Sequence, residues 1–426
     1  MSTAGATLPR LLRGCADREL VTLERHLETH GPLPPPRALG PDALIDAVER
    51  AGLRGRGGAA FPTARKLRAV RAARGRAIVV ANGCESEPLS QKDALLLREL
   101  PHLVLDGAEL AARALGADEV VVAFETTNTT AKLSLEHAVA QRRAARHDRA
   151  RVELFAAEER FLTGQETALV SQLNGGLPRP TFIPPRPTER GVRRRPTLVQ
   201  NVETLAHLAL IARHGPDWYR ACGTGAEPGS TLVTLAGAMP APGVYEIEIG
   251  TPLRRVLDAA GGSAGEADAL LVGGYFGSWL AGAEIGQLEL SNEALAPHGA
   301  ALGCGAIVVL PRDACPVAET VRVAVYLATE TAHQCGPCVH GTAAIARTLH
   351  GIATGRASRG AFADLDRWTA ELPGRGACHH PNGLVNFVSS ALRVFAGAFD
   401  DHARHGPCDA CMAEPLLTVP AAEARV

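Results

Sequence analysis

The chain of 426 residues has no surplus of charge of either sign, since 44 Lys and Arg residues stand against 45 Asp and Glu residues. A near-zero net charge disfavours nucleic acid and anionic membranes as main partners, because both attract a basic surplus. No apolar stretch reaches the ~18 residues that a membrane span needs. Residues 1–10 lack the apolar core of a secretion signal. We therefore expect a cytoplasmic protein that is not integral to a membrane.

Lysine is scarce, and cysteine is not. Lys66, Lys92 and Lys132 are the only lysines among the 44 basic residues, so a lysine inside a motif stands out. Ten cysteines are present, and five of them follow Glu330. Because disulfides are rare in the cytosol, this distribution indicates metal, cluster or redox chemistry towards the C-terminal end.

The first half of the chain alternates between strand and helix patterns. After a short helical candidate at 17–28 and a proline-rich breaker at 31–36, apolar strands are predicted at 76–80, 119–124 and 152–155. Amphipathic helices are predicted between them, at 103–115 and 130–146. Buried strands separated by helices indicate an α/β domain with a parallel sheet.

The second half has two further patterns. Short alternating strands and a helix at 251–260 predict a small α+β module after residue 223. Helical periodicity then dominates, which predicts a helical bundle with helices at 318–329, 341–350, 361–372 and 383–395.

A glycine-rich loop carries the strongest chemical signal. Residues 52–58 hold four glycines, and Pro62 follows at a position that suits the first turn of a helix. Such a loop before a helix exposes backbone N–H groups and favours phosphate. Lys66 lies one turn into that helix. The spacing matches neither the dinucleotide nor the P-loop motif, so these residues alone indicate an anion site or a surface turn.

Two other polar segments follow predicted strands or open helices. Residues 82–88 (Asn-Gly-Cys-Glu-Ser-Glu-Pro) come directly after a strand, where open α/β sheets bind ligands. Residues 164–169 (Gly-Gln-Glu-Thr-Ala-Leu) and 200–204 (Gln-Asn-Val-Glu-Thr) open helices, so Thr163 and Asn201 are alternatively simple N-caps.

These segments together resemble the flavin- and NADH-binding subunit of respiratory complex I and its relatives in soluble hydrogenases and formate dehydrogenases. The family motif G-R-G-G-A-G-F-P is similar to 55–62, N-x-D-E-S-E-P to 82–88, G-E-E-T-A-L to 164–169 and N-N-V-E-T to 200–204. Residues 230–280 resemble the family's β-grasp, ubiquitin-like insert. The motifs occur in the family's order over residues 20 to 400.

The resemblance implies a fold and a domain order. The fold is a Rossmann-like parallel-sheet FMN domain, a β-grasp insert and a C-terminal helical bundle. The implied domains are an N-terminal arm (1–40), a flavin-binding domain (41–222), a β-grasp domain (223–312), a helical iron–sulfur domain (313–400) and a tail with a C-x-x-C pair (401–426).

The resemblance also implies cofactors and their contacts. FMN would lie in the glycine-rich pocket with NADH stacked over its ring on Phe61, and Lys66 would lie on the phosphate side. The cofactor-binding residues would be Gly55, Arg56, Gly57, Gly58, Phe61, Lys66, Asn82, Glu85, Ser86, Glu87, Gly164, Gln165, Glu166, Thr167 and Asn201.

Several positions depart from the family pattern. Cys84 replaces an aspartate, Gln165 replaces a glutamate, and Ala69 replaces an aromatic residue. Arg186 lies in a stretch that has lost a lysine and an aromatic residue. Aromatic stacking contributes about 1–3 kcal/mol per contact with a base, so these changes bear more on NADH than on flavin.

The cysteines after Glu330 match part of a cluster motif. By resemblance, Cys335, Cys338 and Cys378 are three of the four thiolates of a [4Fe–4S] cluster. The first ligand position is Ala332, which cannot bind iron, so the site is open, substituted or degenerate. The candidate substitutes are His333, Cys408 and Cys411.

Other interpretations of the cysteines stay open. Cys335 and Cys338 form a C-x-x-C pair that is also typical of redox dithiols. Together with Cys408 and Cys411 they could bind structural zinc. Buried, inert thiols are a further alternative, and Cys15, Cys222, Cys304 and Cys315 are interpreted as small apolar residues.

The resemblance implies a flavoprotein oxidoreductase of the NADH dehydrogenase type. It would pass electrons from NADH through FMN to an iron–sulfur cluster and then to a ferredoxin-like or other iron–sulfur acceptor protein. The alternative is an electron-transfer or binding module that has lost NADH oxidation, with an incomplete cluster site or a zinc site.

Overall fold

The computed structural model describes residues 8–15, 20–262 and 267–420. The chain forms two compact units. Unit 1 runs to Ser86 and also contains Gln91–Val233 and Val244–Thr251. Unit 2 contains Glu87–Ser90, Thr234–Gly243 and the chain from Pro252 onward. No helix in the described ranges combines the length and the apolar character that crossing a bilayer requires.

A parallel sheet forms the centre of unit 1. Its strands are β1 (Ile78–Asn82), β2 (Glu119–Glu125), β3 (Arg151–Ala157) and β4 (Thr197–Asn201), in the order β3-β2-β1-β4. All three neighbouring pairs are parallel. The predicted parallel sheet is confirmed, and its order is that of a Rossmann-like half-sheet. The chain crosses from one side of β1 to the other, so the switch point lies between β1 and β4.

Helices cover this sheet. They are α1 (Leu23–His30), α2 (Pro41–Ala51), α3 (Thr63–Ala72), α4 (Lys92–Glu99), α5 (Pro101–Leu115), α6 (Thr129–Ala144), α7 (Glu166–Leu173), α8 (Pro187–Arg190), α9 (Val202–His214) and α10 (Pro216–Arg220). Helix α1 begins later than expected, because the Thr22 side chain caps it by accepting from the Arg25 N–H. The first residues predicted for that helix lie partly outside the described residues.

A second, mixed sheet follows. Its strands are β5 (Ser230–Gly237), β6 (Gly243–Glu248), β7 (Ala267–Val272), β8 (Ser278–Ala281) and β9 (Ala306–Pro311), in the order β6-β5-β9-β7-β8. Strands β5 and β9 are parallel, whereas β7 is antiparallel to both β8 and β9. The short helices α11 (Leu253–Ala259) and α12 (Asn292–Leu295) accompany these strands. The predicted α+β module is confirmed in its strands and its helix.

The part of unit 2 from Pro316 to His405 is mainly helical, as predicted. Its helices are α13 (Pro316–Thr329), α14 (Ala343–Ala353), α15 (Ala361–Glu371), α16 (His380–Val394) and α17 (Ala396–His405). A π-helical turn, Pro337–Thr342, precedes α14. The last predicted helix, 383–395, ends where α17 begins, so the sequence pattern missed α17. Helix α17 carries the buried His402.

Candidate functional site

The glycine-rich loop folds into a closed turn between α2 and α3. The Gly55 N–H donates to the Phe61 carbonyl at 2.8 Å, and Arg54 and Pro62 form an isolated bridge. Gly58 has a φ of 107°, a conformation in which a side chain would be strained. A Cβ on Gly57 would lie 3.4 Å from the Asn201 Cβ. The loop therefore lies directly against the end of β4.

Arg56 anchors this loop. Its N–H donates to the Thr204 hydroxyl at 2.9 Å, and its guanidinium donates to the Tyr219 hydroxyl at 2.9 Å and the Ser230 carbonyl at 3.1 Å. The side chain is buried. Arg56 was predicted as a cofactor contact, but its guanidinium is engaged within the protein, so the residue positions the loop.

Two asparagines mark the switch point of the sheet. Asn82 ends β1, Asn201 ends β4, and the two are paired in register. The Asn82 amide donates to the Gly164 carbonyl at 2.9 Å, and the Asn201 amide donates to the Asp93 carboxylate at 2.6 Å. Four of the predicted contact positions, in loops and strands far apart in the sequence, thus meet at one edge: Gly57, Asn82, Gly164 and Asn201.

The three polar residues Glu85, Ser86 and Glu87, which follow β1, make different contacts. Glu85 accepts from the Asp93 and Ala94 N–H groups at 3.0 and 2.9 Å, so it caps α4. Ser86 faces Gly164, where a Cβ would lie 2.5 Å from the Ser86 Oγ. Glu87 belongs to unit 2, in which its carboxylate accepts from the Tyr275 N–H at 2.8 Å.

Helix α7 presents the third predicted segment. The Gln165 side-chain oxygen caps α7 by accepting from the Thr167 and Ala168 N–H groups at 2.8 Å. Capping needs only an oxygen that accepts these hydrogen bonds, so the uncharged Gln165 can cap α7 in place of the glutamate of the family motif. Thr167 extends the network by accepting from the Thr181 N–H. Glu166, the next predicted residue, pairs with Lys66 at 3.0 Å.

A buried charge cluster supports the same edge. Lys92 contacts Asp93 at 2.8 Å and Glu203 at 2.9 Å, and both acids are almost fully buried. Burial, together with the negative charge of Glu85, raises the pKa of Asp93 to about 7, although Lys92 opposes this shift. The sequence reasoning singled out Lys92 only for its rarity and missed Asp93 altogether.

Glu125 is a further residue that the motifs did not reveal. It is the last residue of β2, so it lies at the carboxyl edge of the sheet. Its Oε1 atom is buried and has no hydrogen-bond partner among the described residues. Burial, aided by Glu159, Glu85 and Asp93, raises its pKa to about 8. Cys84 is also buried, and its thiol pKa is raised by burial and by Glu125.

Three of the late cysteines converge in unit 2. Cys335 and Cys338 flank a tight turn, in which the Cys338 N–H donates to the Cys335 carbonyl at 3.1 Å. Burial, with the neighbouring Cys335 and Cys378 thiols, raises the pKa of Cys338 to about 12. The Ala332 backbone opposes this rise in the pKa of Cys338, so the residue at the missing ligand position lies beside the Cys338 thiol.

The other C-x-x-C pair lies elsewhere in unit 2. Cys408 and Cys411 gather with Cys315 and His402, and the ligand atoms of these four residues all lie within 4.8 Å of one another. The suggestion that Cys408 and Cys411 complete a zinc site with Cys335 and Cys338 is therefore wrong. Cys315, interpreted as a small apolar residue, is part of this group. Because Cys408 and Cys411 belong to this group, they do not supply the ligand that is missing at Ala332.

The comparisons with known proteins agree with this architecture. Three family models match the chain: the Nuo51 FMN-binding domain over residues 48–210, the SLBB domain over 232–274 and the NADH-ubiquinone oxidoreductase-F iron–sulfur binding region over 318–402. The NADH-quinone oxidoreductase F subunit of Mycobacterium tuberculosis (strain H37Rv) is 31% identical over 409 residues, which cover 91% of each chain. The chain belongs to the family of NADH-quinone oxidoreductase F subunits.

Other known proteins are also similar to this chain over most of its length. The NADH-quinone oxidoreductase F subunit of Streptomyces coelicolor is 30% identical over 86% of this chain and 84% of its own length. The NADP-reducing hydrogenase subunit HndC of Solidesulfovibrio fructosivorans is 30% identical over 89% and 79%, respectively. A crystal structure of an NAD+-reducing [NiFe]-hydrogenase in the H2-reduced state matches with a TM-score of 0.80 at 33% identity. The match covers 86% of this chain, which spans 63% of that hydrogenase chain.

The carboxyl edge of the parallel sheet in this NADH-quinone oxidoreductase family member offers polar groups that suit a flavin nucleotide. The absence of a side chain at Gly164 lets its backbone approach Ser86 more closely than a Cβ would allow, and Gly57 lies similarly close to Asn201. The buried Glu125 Oε1, which lacks a protein partner among the described residues, provides an acceptor or, when protonated, a donor at the same sheet edge. The family therefore places an FMN-binding domain where this chain offers a suitable cradle.

The iron–sulfur region fits its group only in part. The matched region contains Cys335, Cys338 and Cys378, but a four-thiolate cluster needs a fourth sulfur. The buried Ala332 occupies that position and offers only a methyl group. The donor set thus fits three-thiolate ligation and does not fit four-thiolate ligation. The chain is nevertheless a member of a family of NADH dehydrogenase-type oxidoreductases with FMN and iron–sulfur domains.

Proposed function

We propose that the chain oxidises NADH at FMN bound in unit 1. The convergence of Gly57, Asn82, Gly164 and Asn201 at the carboxyl edge of the sheet supports this proposal. When bound, FMN accepts a hydride and returns the electrons one at a time, and the protein binds and orients the reactants. We retain as proposals the cofactor contacts predicted from the sequence that lie in unit 1, with Arg56 acting through its loop.

The glycine-rich loop offers an aromatic surface on which the nicotinamide ring of NADH can stack. Phe61 is 47% exposed, and the Arg65 guanidinium lies 5.5 Å from the centre of its ring. An exposed aromatic at the rim of a pocket offers a stacking surface that a buried core residue does not. Phe61 is therefore the residue that we assign to nicotinamide stacking.

Stopped-flow reduction of the flavin tests this function. Rapid bleaching of the flavin absorbance by NADH in anaerobically purified protein is the expected result. Replacing Phe61 with Leu should raise the NADH concentration at which the bleaching rate is half-maximal by about 5- to 150-fold, from a stacking contribution of about 1–3 kcal/mol. Phe182→Leu is the matched control, since Phe182 is 72% exposed. Equal shifts in both variants would remove Phe61 from the site.

The departures from the family motifs favour a second candidate. Cys84 is neutral and buried where the family has an aspartate, and Ala332 lacks a sulfur. A protein that holds flavin but no longer reacts with NADH would be an electron-transfer or binding module. In that case NADH leaves the flavin spectrum unchanged, whereas dithionite bleaches it.

We also propose an iron–sulfur protein as the electron acceptor. Relatives are subunits of NADH-quinone oxidoreductases and of a hydrogenase. A ferredoxin-like one-electron carrier suits a flavin that releases single electrons. Reduction of an added ferredoxin by NADH, dependent on this protein, tests the assignment. A cytoplasmic location accords with all ten cysteines being free thiols.

The domain boundaries drawn from the sequence remain a proposal. The matched ranges 48–210, 232–274 and 318–402 fall inside the proposed flavin, β-grasp and iron–sulfur domains, apart from the last two residues of the third range. Proteolysis of the purified chain, with mass analysis of the stable fragments, tests where the linkers lie.

A further inference from the structure

Four metal-ligating side chains meet at one point of unit 2. Cys315 is the N-cap of α13, His402 lies on α17, and Cys408 and Cys411 flank a turn that follows α17. Cys315 and His402 are each 4% exposed, and Cys408 is exposed. Three segments, separated by up to 96 residues, thus supply one compact donor set. We propose that these four residues bind a zinc ion, independently of the flavin and the iron–sulfur region.

The separations between the donor atoms match tetrahedral zinc. The Sγ atoms of Cys408 and Cys411 are 3.7 Å apart, and those of Cys411 and Cys315 are 3.4 Å apart. The His402 Nε2 lies 3.4 Å from the Cys315 Sγ and 3.3 Å from the Cys411 Sγ. A tetrahedral ion with Zn–S near 2.3 Å and Zn–N near 2.0 Å requires about 3.8 Å between sulfurs and about 3.5 Å between sulfur and nitrogen. The observed separations lie within a few tenths of an ångström of these values.

The same distances disfavour other occupants. In a [4Fe–4S] cluster each thiolate binds a different iron atom, so the sulfurs stand further apart than those around a single ion. A disulfide needs sulfurs about 2.0 Å apart, and all ten cysteines are free. Three sulfurs and one imidazole are a donor set that favours zinc over the harder cations, which prefer oxygen.

The surroundings hold the ligands in the orientation that a metal needs. The His402 Nδ1 donates to the Ala398 carbonyl at 2.8 Å, which leaves the Nε2 lone pair pointing at the sulfurs. The Ala318 N–H donates to the Cys315 sulfur at 3.3 Å, at the start of a fourteen-residue helix. The Cys411 N–H donates to the Cys408 carbonyl at 3.0 Å, which closes the turn between the two ligands.

Four protein ligands leave no open position, so the ion is structural and not catalytic. It would join the segment after α17 to α13 and α17. That segment also docks beyond the metal: the Glu319 carboxylate accepts from the Leu416 and Leu417 N–H groups at 3.1 and 2.8 Å, and Leu417 is fully buried. Zinc would thus hold Cys408 and Cys411 in place. The hydrogen bonds to Glu319 and the buried Leu417 hold the residues that follow them.

Metal analysis of the full chain tests this proposal. We expect about one zinc per chain in the native protein and its loss from a Cys408→Ser, Cys411→Ser double variant. Cys15→Ser, which removes a thiol in unit 1, should keep the zinc. The single variant Cys408→Ser changes an exposed residue and should also lose the zinc, while its helical circular dichroism matches that of the native protein, which separates loss of the ion from loss of the fold.

Cobalt gives an independent readout. Protein prepared with Co2+ should show thiolate-to-cobalt charge transfer and the intense visible bands of a tetrahedral ion, and both should vanish in the double variant. Chymotrypsin should cleave at Leu416 or Leu417 about tenfold faster in that variant, because metal binding is coupled to local folding. The proposal is overturned by equal zinc in native and variant proteins, by iron lost in place of zinc, or by a Cys408–Cys411 disulfide in metal-free native protein.

Discussion

The Lys66 ammonium group lies 3.0 Å from the Glu166 carboxylate and donates to the Val199 carbonyl at 2.7 Å. Val199 is on β4, two residues before Asn201, so this lysine links α3 to the edge of the sheet and to α7. The Lys66 side chain is 19% exposed, which leaves a face open to a ligand.

Lys66→Met should weaken flavin binding by about 10- to 150-fold, since a hydrogen bond to a charged group contributes about 1.5–3 kcal/mol. The substitution also leaves the Glu166 carboxylate unpaired beside an anionic ligand. Flavin fluorescence titration of deflavinated protein measures the effect. Lys132→Met is the control, because Lys132 is half exposed and lies 3.9 Å from Glu136 on α6. Unchanged affinity in Lys66→Met would show that the lysine only supports the fold.

Gly164→Ala should lower both flavin content and stability. The added Cβ would lie 2.5 Å from the Ser86 Oγ and 3.0 Å from the Cys84 carbonyl, so the segment after β1 must shift. Overpacking of this kind typically costs about 1–3 kcal/mol. The ratio of flavin to protein absorbance and the thermal midpoint measure the outcome. Gly225→Ala serves as control, since nothing lies within 4 Å of its added Cβ, and a native-like Gly164→Ala would contradict the pocket.

Glu125 should make unit 1 less stable as the pH rises. Its pKa is raised to about 8 from an ordinary value of 4.5, so between these values the folded state holds one more proton than the unfolded state. The free energy of unfolding then falls by about 1.4 kcal/mol per pH unit across this window, and the stabilisation is lost as the pH passes 8. Glu125→Gln should remove this component of the slope.

Urea unfolding of the native protein and the variant at pH 5, 6.5 and 8 measures the difference. The free energy of unfolding of Glu125→Gln, relative to that of the native protein, should increase from pH 5 to pH 8. Glu136→Gln, at a half-exposed position, should follow the native pH profile. Parallel profiles for native protein and Glu125→Gln would mean that Glu125 is ionised in the folded state throughout.

Ala332→Cys should restore a fourth thiolate beside Cys335, Cys338 and Cys378. An iron without a protein thiolate is the first to be lost on exposure to air, so the variant should retain about four iron atoms per chain where the native protein retains fewer. Iron and sulfide counts after aerobic gel filtration measure this. Ala370→Cys adds a thiol at an exposed position of α15 and should change nothing. Equal iron loss in all three proteins would place Ala332 outside the cluster site.

The sequence by itself determined much of this protein. Strand and helix periodicities predicted β1, β2 and β3 and the helical end of the chain, because alternation and helical spacing are local properties of a segment. The order of short motifs, from Gly55 to Thr204, identified the family. The gap at Ala332 was also visible, since a missing ligand in a known spacing needs no structure.

Tertiary structure decided which side chains meet. Cys315 and His402 are 87 residues apart in the sequence, and no spacing rule joins them, yet α13 and α17 bring the sulfur and Nε2 to 3.4 Å. Arg56 lies within a motif, but its guanidinium donates to the Tyr219 hydroxyl. Glu125 lies outside every motif, yet it is at the sheet edge, and its Oε1 has no hydrogen-bond partner among the described residues. Contacts between distant residues depend on how helices and strands pack, and packing is set by the whole core rather than by any short segment.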